Sequence, residues 1–391
     1  MIRYFPPFFL FLAFIVFPAG DTPRHQALHD AALVVDGHND ILGRVMKGEN
    51  IERHSPTGHS DLPRFRAGGV DVQLFSVWVP TNKRGVDGWR YALAEIDSLR
   101  AIASRNPGRL AIATRRGDIE RITAGGQLAG VLALEGATCV EGRRDRIIAL
   151  YQRGLRSLGP TWNVSTDWAG SSKDEAAGTV RGGLSAKGKS FVRLLDSLGM
   201  LIDLSHIGER TFWDVAATSA HPLFASHSGC SGIRAHHRNL TDAQLRAIAK
   251  SNGVAMITFV PSFLSANLNQ KRTARMRQFE ARAAALKQRH PRRGPAYRKE
   301  YDAMIAAANA EKLCTIDNVV AHLLHAMRVA GAAHVGLGSD FDGIGLTPVG
   351  LNDVTDLPML TRALLEAGVS EQDIRGILGG NFLRVWNTVV D

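Results

Sequence analysis

Two residues at the end of LVVDGHND, residues 33–40, could do chemistry together: His38 and Asp40. On a strand, residues two apart project to the same side, so an imidazole and a carboxylate meet where this apolar run stops. Other short apolar runs end in the same residue types. GVLALEG at 130–136 carries Glu135, LIDLSH at 201–206 ends in His206, PLFASHS at 222–228 carries His227, and HVGLGSD at 334–340 ends in Asp340. Three imidazoles and three carboxylates suit zinc or a similar first-row ion. Six donors exceed the needs of one tetrahedral ion, so two ions about 3.5–4 Å apart, bridged by a carboxylate, match the inventory. A lone strand-end histidine is more often a satisfied polar group. His25, His29, His54, His59, His221, His290, His322, His325 and His334 stay in that class.

Something must bring these ends to one face. VDVQLFSVWV at 70–79, LRSLGPTWN at 155–163 and GVAMITFV at 253–260 complete eight β-rich runs, most of them continuously apolar, as parallel strands covered on both faces are. Helical patterning fills Trp89 to Ala103, Arg143 to Arg153, Gly188 to Leu198, Glu209 to Ser219, Thr241 to Ser251 and Asp317 to Ala330. Eight β-then-α units predict an α/β (β/α)8 TIM barrel, whose active site is built from C-terminal strand ends. The competitor is an open doubly wound sheet. It lacks support: no Gly-x-Gly-x-x-Gly follows the first strand, and polar residues end several strands instead of marking one switch point.

Composition is that of a globular protein, with 45% hydrophobic and 21% charged residues. The formal charge is +10, but residues 264–313 hold 12 Lys/Arg against 4 Asp/Glu, a net +8. The basicity belongs to this one segment, a predicted helical insertion after strand seven, so nucleic acid is not an expected partner. The segment reads as a solvated helical hairpin over the barrel mouth, with a lid or a patch for an anionic envelope surface as the functional alternatives. Cys139, Cys230 and Cys314 match neither a zinc knuckle nor a disulfide framework. MIRYFPPFFLFLAFIVFPAG, residues 1–20, predicts a secretory signal peptide and a bacterial periplasmic or cell-envelope protein, with an uncleaved membrane anchor as the alternative. Residues 21–391 then form a single barrel domain; a homodimer is compatible with it.

With these motifs in view, the chain resembles the membrane dipeptidases, or renal-type dipeptidases, a branch of the metal-dependent amidohydrolases. The stretches that carry the resemblance are DGHND at 36–40, DLPRFRAGGVDVQLFSVWV at 61–79, LEG at 134–136, GLSAKGKSFVRLLDSLGMLIDLSH at 183–206, SHSG at 226–229, RNLTD at 238–242 and GLGSDFDGI at 336–344. The resemblance implies a barrel with two zinc ions: His38 and Asp40 on one, His206 and His227 on the other, and Glu135 bridging. It implies that Arg238 holds the substrate's terminal carboxylate, a task suited to a guanidinium fork. Asp340 matches the acidic residue that meets the substrate's amino end and transfers the proton. One position departs. Where the mammalian enzymes have a histidine that hydrogen-bonds the developing oxyanion, GPTWN places Trp162, leaving that role to the zinc ions, to Trp162 or to Asn163. Phe263 falls near a tyrosine of the mammalian site.

The reaction so implied is hydrolysis of a dipeptide by a metal-bridged hydroxide, with Asp340 as general base and then general acid. The family accepts D-residues at the second position. Two alternatives stand beside it: hydrolysis of an N-acyl amino acid or lactone in the same binuclear site, or an exported binding or maturation protein without turnover.

Overall fold

The computed structural model describes residues 22–265, 281–291, 294–309 and 314–391. The predicted signal segment, residues 1–20, and most of the basic part of the predicted 264–313 insert lie outside the described residues. Within the insert, Pro295–Asn309 is helical. Among the described residues no helix is long and apolar enough to cross a membrane.

Among the described residues ten strands form: β1 Val35–Asn39, β2 Val72–Trp78, β3 Leu110–Ile112, β4 Leu128–Glu135, β5 Leu155–Leu158, β6 Leu201–Ile202, β7 Phe224–Cys230, β8 Asn239–Leu240, β9 Val254–Ile257 and β10 Val335–Leu337. All eight expected strands are among them. β3 and β8 were not expected, being too short, at three and two residues, to show a period. The strand order is β6-β5-β4-β2-β1-β10-β9-β7-β8, with β3 beside β4, and every pairing is parallel. A parallel bridge between Asp203 and Phe224 brings the segment after β6 against β7. The sheet therefore curls into a half-barrel, consistent with a TIM-barrel-like fold.

The connecting helices Gly85–Arg105, Arg144–Gln152, Ala186–Ser197, Glu209–Thr218, Asp242–Lys250 and Ile316–Ala330 lie close to their expected bounds. Thr241 starts one of them with a capping box, its hydroxyl accepting from Gln244 N while the Gln244 side chain accepts from Thr241 N. Such a cap satisfies two donors that a helix start otherwise leaves orphaned.

Strand alternation divides the core. Phe75, Val77, Leu132, Leu134, Ile257 and Leu337 pack with helix residues such as Ile96, Leu99, Leu150 and Leu195. The opposite faces, with Val35, Leu74, Val131, Phe224 and Met256, pack against Phe382, Val385, Trp386 and Val389 of the C-terminal helix Asn381–Val389. Burying a side chain of this size contributes about 1.5–3 kcal/mol. Both clusters fix the strands, and the strands fix what their ends carry.

Candidate metal centre

The ends of β1 and β4, the middle of β7 and the segment after β6 place His38, Glu135, His227 and His206 in one buried knot. Glu135 lies at its centre. Its Oε1 is 2.8 Å from His206 Nε2 and 3.6 Å from His227 Nε2, and its Oε2 is 3.6 Å from His38 Nε2. Asp40 Oδ2 stands 3.3 Å from His38 Nε2. The rings of His38 and His227 are 3.8 Å apart. Donor atoms of His38, Glu135 and His227 lie within 4.8 Å of one another, as do those of His38, Asp40 and Asp340.

Charge in this knot is settled by burial and neighbours together. Burial pushes the imidazole of His206 down to about 4, helped by the Arg238 charge. His227 is held well below the ordinary range by burial, then by His38 and Arg238. Burial works against the Glu135 carboxylate, yet the His38 charge and the hydrogen bond from His206 outweigh it and keep it well below the carboxylate range. For His38 burial is likewise outweighed, by Glu135 and Asp40, and its affinity for a proton rises well above the ordinary value. Two neutral imidazoles thus turn their Nε2 atoms toward each other at 3.1 Å, beside an ionised carboxylate. His38 Nε2 is buried without a hydrogen-bond partner. Neutral histidine nitrogens and carboxylate oxygens aimed at a common point are what a divalent first-row cation takes as ligands, so these residues fit a metal.

Asp340 completes the rim. It follows β10 in the left-handed region, φ 62°, as does Asp342 at φ 65°, a conformation in which Asp is enriched among non-glycine residues. A Cβ on Gly343 would collide with Oδ2 of Asp40 and Oδ1 of Asp340, so only glycine allows this close approach. Asp342 ties the turn down, accepting from His59 N at 2.7 Å, from Arg44 Nη1 at 3.2 Å and from Ser60 Oγ. Burial raises Asp340 well above the carboxylate range, and the charges of Asp40 and Glu135 add to that effect.

Arg238 is buried behind His227. Its Nη2 donates to the His227 carbonyl at 3.4 Å, while Nε and Nη1 have no partner among the described residues. Its guanidinium lies 5.4 Å from the Phe263 ring.

A family model for membrane dipeptidases, peptidase family M19, matches residues 22–391. The chain belongs to this family. The metal centre expected of a metallopeptidase has its candidate in the His38, Glu135 and His227 group, and the family places the chain among peptide-bond hydrolases. Similar structures include a dipeptidase designated AC, an M19 metallopeptidase, with 29% identity, 92% of this chain and 99% of that one covered, and a TM-score of 0.75. A metallopeptidase from Rhodobacter sphaeroides, liganded with a phosphinate mimic of the dipeptide L-Ala-D-Ala, has 26% identity, 92% and 99% coverage, and a TM-score of 0.74. PvdM from Pseudomonas aeruginosa, described as a probable dipeptidase, shares the fold at 24% identity, 93% and 97% coverage, and a TM-score of 0.76.

In this M19 chain the five predicted metal ligands and Asp340 come together. Trp162 stands at the edge of the knot, its ring 6.1 Å from His206 and edge-on to Trp78 at 5.1 Å. Asn163 offers its carbonyl to Ser171 Oγ at 3.3 Å. Phe263 stacks on His236 as well as facing Arg238. Two of the histidines judged ordinary are satisfied elsewhere: His29 by Thr361 and the Gly68 carbonyl, His322 by Cys230 N and the Leu264 carbonyl. Sequence reasoning missed a buried polar layer under the ligands. Asp36 accepts from Ser339 N at 2.6 Å and Ser339 Oγ at 2.7 Å, and Asp203 does the same with Ser226 across β7. The only available signal was a carboxylate inside each apolar run, two or three residues before the histidine.

Proposed function

We propose that the protein is an exported zinc-dependent dipeptidase that cleaves dipeptides, including those with a D-residue at the second position. The observation that carries this is Arg238, a buried cation beside the knot with two guanidinium donors unpartnered. A cation so placed is suited to a substrate carboxylate, because a guanidinium fork binds one in two parallel charge-assisted bonds. Distance from that carboxylate to the knot would then select dipeptides over longer chains.

His38 and Asp40 would hold one zinc, His206 and His227 the other, with Glu135 between them. Metal held by these residues would supply a water activated for attack near neutral pH, since metal binding lowers the pKa of water to about 7, and would polarise the scissile carbonyl. Asp340, within reach of His38 and Asp40, would take the nucleophile's proton and return it to the leaving nitrogen. Trp162 would wall the carbonyl side and can offer its indole N–H, though never a charged donor. A complete (β/α)8 barrel with the basic insert after its seventh strand would frame this site. Export rests on the apolar leader at residues 1–20. D-residue acceptance is supported by the family and by the L-Ala-D-Ala mimic bound to the Rhodobacter sphaeroides relative.

The test is a substrate panel on zinc-loaded protein lacking residues 1–20: L-Ala-D-Ala, L-Ala-L-Ala and N-acyl amino acids. Turnover of both dipeptides is expected; turnover of N-acyl amino acids alone would overturn the dipeptidase assignment.

A further inference from the structure

The hydrogen bonds around Asp203 fix where the protons of its neighbours sit. Asp203 is buried, and its Oδ1 accepts from Ser205 N at 3.0 Å, from Ser226 N at 2.9 Å and from Ser205 Oγ at 2.8 Å. Its Oδ2 accepts from Ser226 Oγ at 2.5 Å. Ser205 Oγ, having donated to Asp203, accepts from His227 N at 2.9 Å. A serine hydroxyl carries one proton. With that proton on Asp203 Oδ2, Ser226 Oγ can only accept in its remaining contacts, at 3.1 Å with Ser205 Oγ and at 2.7 Å with His227 Nδ1. The Nδ1 atom must therefore carry hydrogen, which leaves Nε2 bare and facing Glu135 and His206.

From this we infer that Asp203 is a positioning residue which, through Ser226, locks His227 in the tautomer that can bind a metal. The inference rests on His227 being a metal ligand. A carboxylate that reaches the ring through a serine hydroxyl replaces the direct carboxylate–histidine contact common in metal sites. The relay also explains why two serines and an aspartate are tolerated in a buried layer: every donor among them has an acceptor.

Asp203→Asn tests the relay with almost no change of shape. Two backbone N–H groups donate to the Oδ1 position, so the amide oxygen must occupy it and the amide NH2 must face Ser226. Ser226 then accepts from the amide and turns its own proton toward Nδ1. The proton of His227 is displaced to Nε2, where it blocks the metal. Ser226→Ala removes the acceptor and releases the ring without reversing it.

Two readouts are needed. The first is the ¹⁵N spectrum of histidine-labelled, metal-free protein, with His227 assigned by its loss in His227→Gln. The second is zinc affinity by chelator competition. Wild type is expected to show Nδ1–H at His227, and Asp203→Asn to show Nε2–H. Zinc affinity is expected to fall about 10–100-fold in both Asp203→Asn and Ser226→Ala, with thermal unfolding showing that each variant is folded. An Nε2–H tautomer in wild type, or an unchanged tautomer in Asp203→Asn whatever its affinity, would overturn the relay. Failure of wild type to bind zinc would instead overturn the metal assignment, and the tautomer readout keeps the two apart.

Discussion

Replacing Arg238 by Met should move activity and stability in opposite directions. Burial pushes the Arg238 guanidinium from 12.5 down to about 10. At about 1.4 kcal/mol per pKa unit, that corresponds to roughly 3 kcal/mol of uncompensated burial. Met keeps much of the apolar stem and carries no charge. Against the gain stands one long hydrogen bond, Nη2 to the His227 carbonyl at 3.4 Å. Arg238→Met is therefore expected to stabilise the resting protein by about 1–3 kcal/mol. Activity should fall, because Nε and Nη1 are the unpartnered donors assigned to the substrate. Two charge-assisted bonds of about 1.5–3 kcal/mol each predict a loss of about 10²–10⁴ in kcat/KM. The assay is a cycle of two enzymes on L-Ala-D-Ala and its C-terminal amide, with denaturant unfolding in parallel. Wild type should prefer the free acid by that factor, and Arg238→Met should show almost no preference. An equal loss on acid and amide would refute carboxylate recognition, and a destabilised variant would refute the view that Arg238 is held ready at a cost.

Other perturbations are equally specific. Glu95 is 1% exposed with Oε2 unpartnered, and burial, then Asp40 and Glu135, push it up to about 9. A carboxyl raised in the folded state keeps its proton where the unfolded chain has released it, so its contribution to stability declines as pH rises from about 4.5 towards 9. Glu95→Gln should thus stabilise metal-free protein by up to about 3 kcal/mol at pH 7 and hardly at pH 4.5; equal effects at both pH values in urea unfolding would contradict this. Asp340→Asn should retain bound metal by elemental analysis while kcat falls about 10²–10⁴-fold, and loss of metal would point to a ligand role instead. Trp162→His should raise kcat on L-Ala-D-Ala several-fold by supplying a donor that can be charged, since one oxyanion donor is worth about 10²–10³ when lost; a lower kcat would show that the indole itself is needed.

The ligand positions were legible because the apolar runs stop at polar residues, β1 at His38 and Asp40 and β4 at Glu135, while His227 interrupts the run inside β7. Helix bounds were legible where side chains cap them, as Thr241 does. What could not be read is what depends on distant partners. Ser339 lies 303 positions from Asp36, and Ser226 lies 23 from Asp203, so no local period couples them. Glu95 looks like any surface charge of the helix Gly85–Arg105, and only packing reveals its burial. Arg238 was named through resemblance alone; the two unpartnered donors that give it physical meaning exist only in the fold.

The most direct test of a binuclear dipeptidase centre is a zinc titration of chelator-treated protein, followed by L-Ala-D-Ala hydrolysis. Activity should be absent without metal, rise with zinc, and level off at two equivalents per chain. Full activity in the stripped protein, or none at saturating zinc, would contradict it.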